Sequence, residues 1–166
     1  MFSVSPRLFP DRIAKSLFVV FSLVVLLPLG AATVRAQRQR GQDDEQPLFA
    51  EFKGVRIGMA AEEARKKLGN PRDKSDEQDF YLFNENQVVQ IYYDKAKTVS
   101  AISIDFMTGA ADVPEPREVI GGAPDSKPDG SAYKMVRYPK AGYWVSYSKT
   151  AGSSPTVTIT MQKIDH

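Results

Sequence analysis

Two helix-length patterns, each closed by glycine and proline and each followed by three β-rich runs, constrain this chain more than any other feature. In the first, "AAEEARKKL" sets Ala60, Ala64 and Leu68 four residues apart, on one side of a helix. Gly69 suits a left-handed C-terminal position, and Pro71 prevents the helix from resuming. The runs "DFYLFN", "QVVQIYYD" and "VSAISIDF" follow, separated by the turn-like "NEN" and "DKAK". In the second, "DVPEPREVIGGAP" predicts a shorter helix with Asp112 as N-cap and a Gly-Ala-Pro stop. Three runs follow again: "AYKMVRYP", "YWVSYS" and "TVTITMQKI".

The two copies keep step. Pro71 and Pro124 lie 53 residues apart, as do Gly69 and Gly122, and Phe80 and Tyr133. Tyr93 and Tyr147 lie 54 apart, and Ile104 and Ile159 lie 55 apart, as a repeat with small changes in its later turns would require. The predicted fold class is α+β: two tandem α-β-β-β repeats, 48–110 and 111–166, forming a two-layer, helix-covered antiparallel sheet.

Upstream of the repeats, basic residues to Lys15 precede the apolar run Leu17 to Val34, and "VRA" then offers small residues at Val34 and Ala36. This pattern predicts a bacterial-type secretory signal over 1–36, cleaved after Ala36. The alternative is an uncleaved anchor, because about 20 apolar residues can cross a bilayer. The chain has no cysteine, so a lipid anchor, disulfides and thiolate metal sites are excluded. Residues 37–47, "QRQRGQDDEQP", have nothing apolar to bury and read as a disordered linker.

Charge narrows the partners. The formal net charge is +2, yet the first 36 residues hold Arg7, Arg12, Lys15 and Arg35 against a single acid, Asp11. The rest of the chain is close to neutral, which argues against a nucleic-acid binder that must neutralise phosphates.

A site for chemistry does not emerge. His166 is the only histidine and the last residue, so a histidine triad or zinc site is not expected. The acids of "RDKSDEQD", Asp73, Asp76, Glu77 and Asp79, lack the calcium-loop spacing and read as a polar loop. "SAYK", Ser131 to Lys134, matches S-x-x-K of penicillin-recognising enzymes, but Ser131 enters an alternating strand where such a nucleophile should open a helix. No enzyme activity, cofactor or metal is predicted.

A sheet face remains. The repeat register points Phe80, Leu82, Val89, Ile91, Tyr93, Ile102 and Ile104 inward, with Tyr133, Met135, Tyr143, Val145, Tyr147, Val157 and Ile159. The opposite parity displays Tyr81, Phe83, Gln90, Tyr92, Ser103 and Asp105, with Lys134, Val136, Tyr138, Trp144, Ser146, Thr158 and Thr160. Of these, Tyr81, Phe83, Gln90, Tyr92, Asp105, Lys134, Tyr138, Trp144 and Ser146 are the predicted partner-binding residues. Rigid aromatic side chains give contact area at low entropy cost. The competing explanation is that aromatics simply suit strands.

The series "IGMAAEEARKKLGNP", an aromatic strand and a turn-bounded β-meander resembles the SmpA/OmlA family, which includes the BamE-like components of outer-membrane assembly. The paired copies resemble the tandem repeats of the β-lactamase inhibitor protein. These resemblances cover most of Val55 to Met161. They imply an exported, non-enzymatic protein-protein interaction module of the bacterial cell envelope, in the periplasm or at the outer-membrane periphery. It would assist outer-membrane protein assembly or envelope integrity. The alternative is an extracellular inhibitor of a hydrolase that uses the same face. The expected partner is another envelope or secreted protein, with membrane contact only if the signal segment is retained.

Overall fold

The computed structural model describes residues 46–164. The signal segment, nearly all of the predicted linker and His166 lie outside the described residues. Two helices and eight strands follow one another: α1 (Ala61–Leu68), β1 (Asp73–Lys74), β2 (Gln78–Asn84), β3 (Gln87–Tyr93), β4 (Val99–Phe106), α2 (Pro116–Ile120), β5 (Asp125–Ser126), β6 (Ala132–Tyr138), β7 (Tyr143–Lys149) and β8 (Val157–Lys163). All the strands join one antiparallel sheet in the order β1-β2-β3-β4-β8-β7-β6-β5.

The expected α+β class, with helices covering the sheet, is therefore corrected. The protein is mostly an eight-stranded antiparallel sheet with two short helices. Dimensions give the reason. Eight residues make a helix about 12 Å long and five make one of about 7.5 Å, whereas eight strands span roughly 34 Å. Helix α1 cannot extend because Gly69 follows it at φ 85° and ψ −160°, not in the left-handed conformation expected for it but in a region open essentially to glycine alone. Helix α2 begins at Pro116 and ends at Gly121, whose φ of 72° and ψ of 8° are left-handed. Its N-cap is Glu115, not the expected Asp112. The Glu118 carboxylate accepts the Glu115 amide at 2.8 Å, half of a capping box.

Each half also has four strands rather than three, because β1 and β5 add two-residue edges that the turn-rich sequence hid. The sheet order reads the same inward from either edge, and β4 meets β8 at the centre with Ile104 opposite Ile159, both fully buried. Val89 pairs with Ile104 and Tyr147 with Ile159, so Val89, not Tyr93, is the counterpart of Tyr147. The 54-residue match of the two tyrosines is a coincidence of spacing.

One sheet face carries the core. Val89, Ile91, Tyr93, Ile102, Ile104, Tyr143, Val145, Tyr147 and Ile159 all point into it, as predicted, and Val157 is partly buried against it. Ala61 and Ala64 of α1, Val119 and Ile120 of α2, and Phe52, Val55 and Met59 from the segment before α1 pack on this face. The outer strands are inverted relative to the expectation. On β2, Tyr81 is buried and Phe83 packs inward, while Leu82 is 42% exposed and Phe80 half-buried on the other side. On β6, Val136 and Tyr138 are buried, while Tyr133 and Met135 are 47% and 39% exposed.

Candidate functional site: the outer face of the sheet

Register alone assembles the outer face, because residues directly opposite on neighbouring strands share a side. One transverse row runs Phe80, Gln90, Ser103, Thr160, Ser146, Met135. A second runs Gln78, Tyr92, Ala101, Gln162, Trp144, Arg137. The third runs Leu82, Val88, Asp105, Thr158, Ser148, Tyr133. On the central strands β4 and β8 the rows carry Ser103 and Thr160, Ala101 and Gln162, and Asp105 and Thr158, small or polar side chains without an aromatic among them. Bulk stands on the flanks: Phe80, Leu82 and Tyr92 on one side, Trp144, Met135 and Tyr133 on the other.

Hydrogen bonds hold parts of this surface in place. The Tyr92 hydroxyl donates to Gln90 Oε1 at 2.7 Å, and Gln78 Nε2 donates to the same oxygen at 2.9 Å. At the centre, Thr158 Oγ1 donates to Asp105 Oδ1 at 2.6 Å, and the hydroxyls of Ser103 and Thr160 lie 3.5 Å apart. Asp105 and Arg137 are the charged side chains in the three rows. Such a face supplies rigid apolar area with fixed polar groups between, a composition suited to contact.

Of the nine predicted partner-binding residues, Gln90, Tyr92, Asp105, Trp144 and Ser146 lie on this face. Trp144 is half-buried; Ser146 is on the face but only 6% exposed, covered by its neighbours. The other four are corrected. Tyr81, Phe83, Lys134 and Tyr138 belong to the core-facing parity, and Phe83 packs edge-on against Phe52 and stacks on Tyr81. Val136 is corrected with them. The outward places on these strands belong to Phe80, Leu82, Tyr133, Met135 and Arg137, which the inverted parity missed.

A polar cluster on the core side was also missed. Asp79, read from the sequence as part of a polar loop, is fully buried on β2. It accepts Arg65 Nε at 2.7 Å, Arg65 Nη2 at 2.9 Å and the Tyr93 hydroxyl at 2.7 Å. Burial alone would raise the Asp79 carboxyl; the bonds from Arg65 and Tyr93 outweigh it and hold the group below the ordinary carboxylate value. Burial, then the bond to Asp79, pushes the Tyr93 phenol upward. The signal in the sequence is a helical Arg65 opposite an acid at the start of an aromatic strand. With the alternation of β2 taken in the opposite sense, the two residues are not brought together.

This cluster is a clasp between α1 and the sheet rather than an open ligand site. Arg65 lines a cleft of 340 Å³ with Glu62, Asp76 and Lys97. Two more of its donors are committed, to Glu62 at 2.7 Å and the Ser75 carbonyl at 2.8 Å, and Lys97 is committed to Asp76 at 3.1 Å. The S-x-x-K coincidence dissolves in a similar way. Ser131 Oγ donates to Asp129 Oδ1 at 2.7 Å, and Lys134 Nζ lies 3.5 Å from the Ala123 carbonyl. Among the described residues, no three His, Cys, Asp or Glu side chains gather as a metal site.

No family model, curated protein or solved structure matches this chain.

Proposed function

We propose that this chain is a non-enzymatic protein-protein interaction module of the bacterial cell envelope that takes its partner on the outer sheet face. One observation carries the reading: a small, hydroxyl-rich centre lies between flanks of Phe80, Tyr92, Trp144 and Tyr133 on one continuous sheet surface. Aromatic anchors beside adaptable polar groups are the usual composition of a contact surface. An unpartnered apolar flank of this extent would also be a solubility liability. Export through the signal-like segment 1–36 would bring the module to the envelope, where the SmpA/OmlA resemblance suggests a role in outer-membrane protein assembly or envelope integrity.

The test is site-specific photo-crosslinking in the native host. A crosslinker at Ser148, on the outer face, should capture one defined envelope protein. The same group at Lys66, on the exposed side of α1, should not. Trp144→Ala should abolish the capture at Ser148. Equal capture from both positions, or capture insensitive to Trp144, would overturn the proposal. Capture of a hydrolase from the medium would turn the module into an inhibitor.

A further inference from the structure

The sheet ends on its two sides in different ways. Strand β5 covers only Ala132 and Tyr133 of β6, so Lys134 to Tyr138 face no strand among the described residues. Two hydrogen bonds fix which backbone groups point that way. Lys127 N–H donates to the Ser131 carbonyl at 2.8 Å, so odd-numbered β6 residues turn their backbone toward β5. Ile164 N–H donates to the Gly142 carbonyl at 2.8 Å, which turns even-numbered β7 residues toward β8 and leaves odd ones to bond even-numbered β6 residues. Both place the N–H and C=O of Met135 and Arg137 on the open edge.

The opposite edge is guarded. Where β2 runs past β1, its register shifts between Leu82 and Asn84, and Leu68, Asn70 and Arg72 line a cleft beside it. A bulge is one of the ordinary means of blunting an edge. Strand β6 has no such bulge among the described residues. Its pairing with β7 runs without a shift from Ala132 opposite Lys149 to Tyr138 opposite Tyr143.

We infer that the open edge of β6 takes an extended segment of a partner protein as a ninth strand, with an apolar side chain beside Met135 and an acidic one beside Arg137. Backbone groups at Met135 and Arg137 supply two hydrogen-bonded positions, the basis of strand addition. Side chains supply the selectivity. On the outer face the incoming strand meets exposed, apolar Met135 and exposed Arg137, which has no ion pair among the described residues. Cross-strand neighbours prefer opposite charge and apolar contact. The inference rests on the proposed reading of a protein partner, and it locates where the partner's chain continues past the outer face.

The probe is a capped peptide of about seven residues, the length of one strand, alternating threonine with valine, glutamate and valine, so that either direction sets valine beside Met135 and glutamate beside Arg137. Amide hydrogen exchange of the exported protein is followed by NMR. Saturating peptide should slow exchange at Met135 and Arg137 about tenfold, as expected for amides newly held in a ladder. Replacing glutamate by lysine should weaken binding, and Arg137→Glu should invert that order with a change of about fivefold. Met135→Pro removes one edge donor and should abolish the protection; the surface variant Arg137→Glu keeps the test decisive if that protein fails to fold. Absent protection at these two amides, protection at Leu82 instead, or protection without peptide in a self-associated form would each overturn the inference. Shifts confined to Tyr92, Ser103 and Trp144 would overturn it while leaving the face reading intact. Edge protection together with crosslinking insensitive to Trp144 would do the reverse.

Discussion

Arg65 holds Asp79 with two nitrogens, at 2.7 and 2.9 Å, across 14 residues of sequence, joining α1 to the sheet. Asp79 is fully buried and the Arg65 side chain is 13% exposed, so removing Arg65 strands a charge away from water, while removing Asp79 leaves two guanidinium donors and the Tyr93 hydroxyl without their acceptor. Asp79→Ala should destabilise the protein by about 3 kcal/mol in urea titration. Replacing the cluster with Arg65→Met, Asp79→Leu and Tyr93→Phe should recover most of that loss, since none of these three positions then leaves a charge or hydroxyl unpaired. An equal loss in the triple variant would mean that the clasp's contribution is packing.

Acid should release the same clasp. The Asp79 carboxyl is held below its ordinary value, so the stabilisation is present in full above about pH 4 and is lost as pH falls through the folded-state value. Asp94 behaves alike. Its carboxylate accepts the Thr98 amide at 3.0 Å and Lys163 Nζ at 3.1 Å and is held down to about 2. Urea midpoints should therefore be nearly level from about pH 7 to 5 and fall steeply below about pH 4. Asp94→Ala should flatten part of that fall. A steep loss between pH 7 and 5 would point to other groups.

Gly69 tests how α1 ends. A Cβ there meets no atom within 4 Å, so a side chain would find room and only the backbone would object. Gly69→Val should cost about 1–3 kcal/mol through its backbone conformation alone. Chemical denaturation reads the cost directly. An unchanged stability would show that the turn relaxes into another conformation.

How far the sheet was legible depended on the alternation in each strand. On β4, "SAISIDF" sets Ile102 and Ile104 against Ser103 and Asp105, and the two sides are as expected. On β2, "DFYLF" is apolar on both sides, Phe80 and Leu82 against Tyr81 and Phe83. On β6, Tyr133 and Met135 compete with Val136 and Tyr138. Pattern cannot choose there. The choice is made by contacts distant in sequence, the Arg65 to Asp79 pair on β2 and the packing of α2 near β6. The inversion moved four candidate residues off the outer face but left Tyr92 and Trp144, on inner strands, where they were expected.

Neighbours in β7 separate binding from folding. Trp144 lies half-buried on the outer face, and Val145 is fully buried on the other. Trp144→Ala should leave the melting curve nearly unchanged while weakening partner binding by about 2 kcal/mol or more. Val145→Ala should cost about 2 kcal/mol of stability through a cavity and affect binding little. A Trp144 variant that unfolds without a binding defect would remove it from the contact surface.

Tyr81 offers the sharpest check on the corrected parity. Its ring is buried beside Phe83, yet among the described residues the hydroxyl makes no hydrogen bond of ordinary geometry, Asp79 acting on it only weakly. Burial and the nearby Asp79 charge push the phenol up to about 12, so it stays neutral at working pH. A buried hydroxyl without a partner costs about 1–3 kcal/mol of desolvation with nothing returned. Tyr81→Phe should therefore raise stability by about 1 kcal/mol, an unusual gain for a core substitution. Had Tyr81 stood on the outer face, as its sequence context suggested, the same change would leave stability unaltered and weaken partner binding instead. Denaturation and crosslinking of this single variant distinguish the two placements of β2.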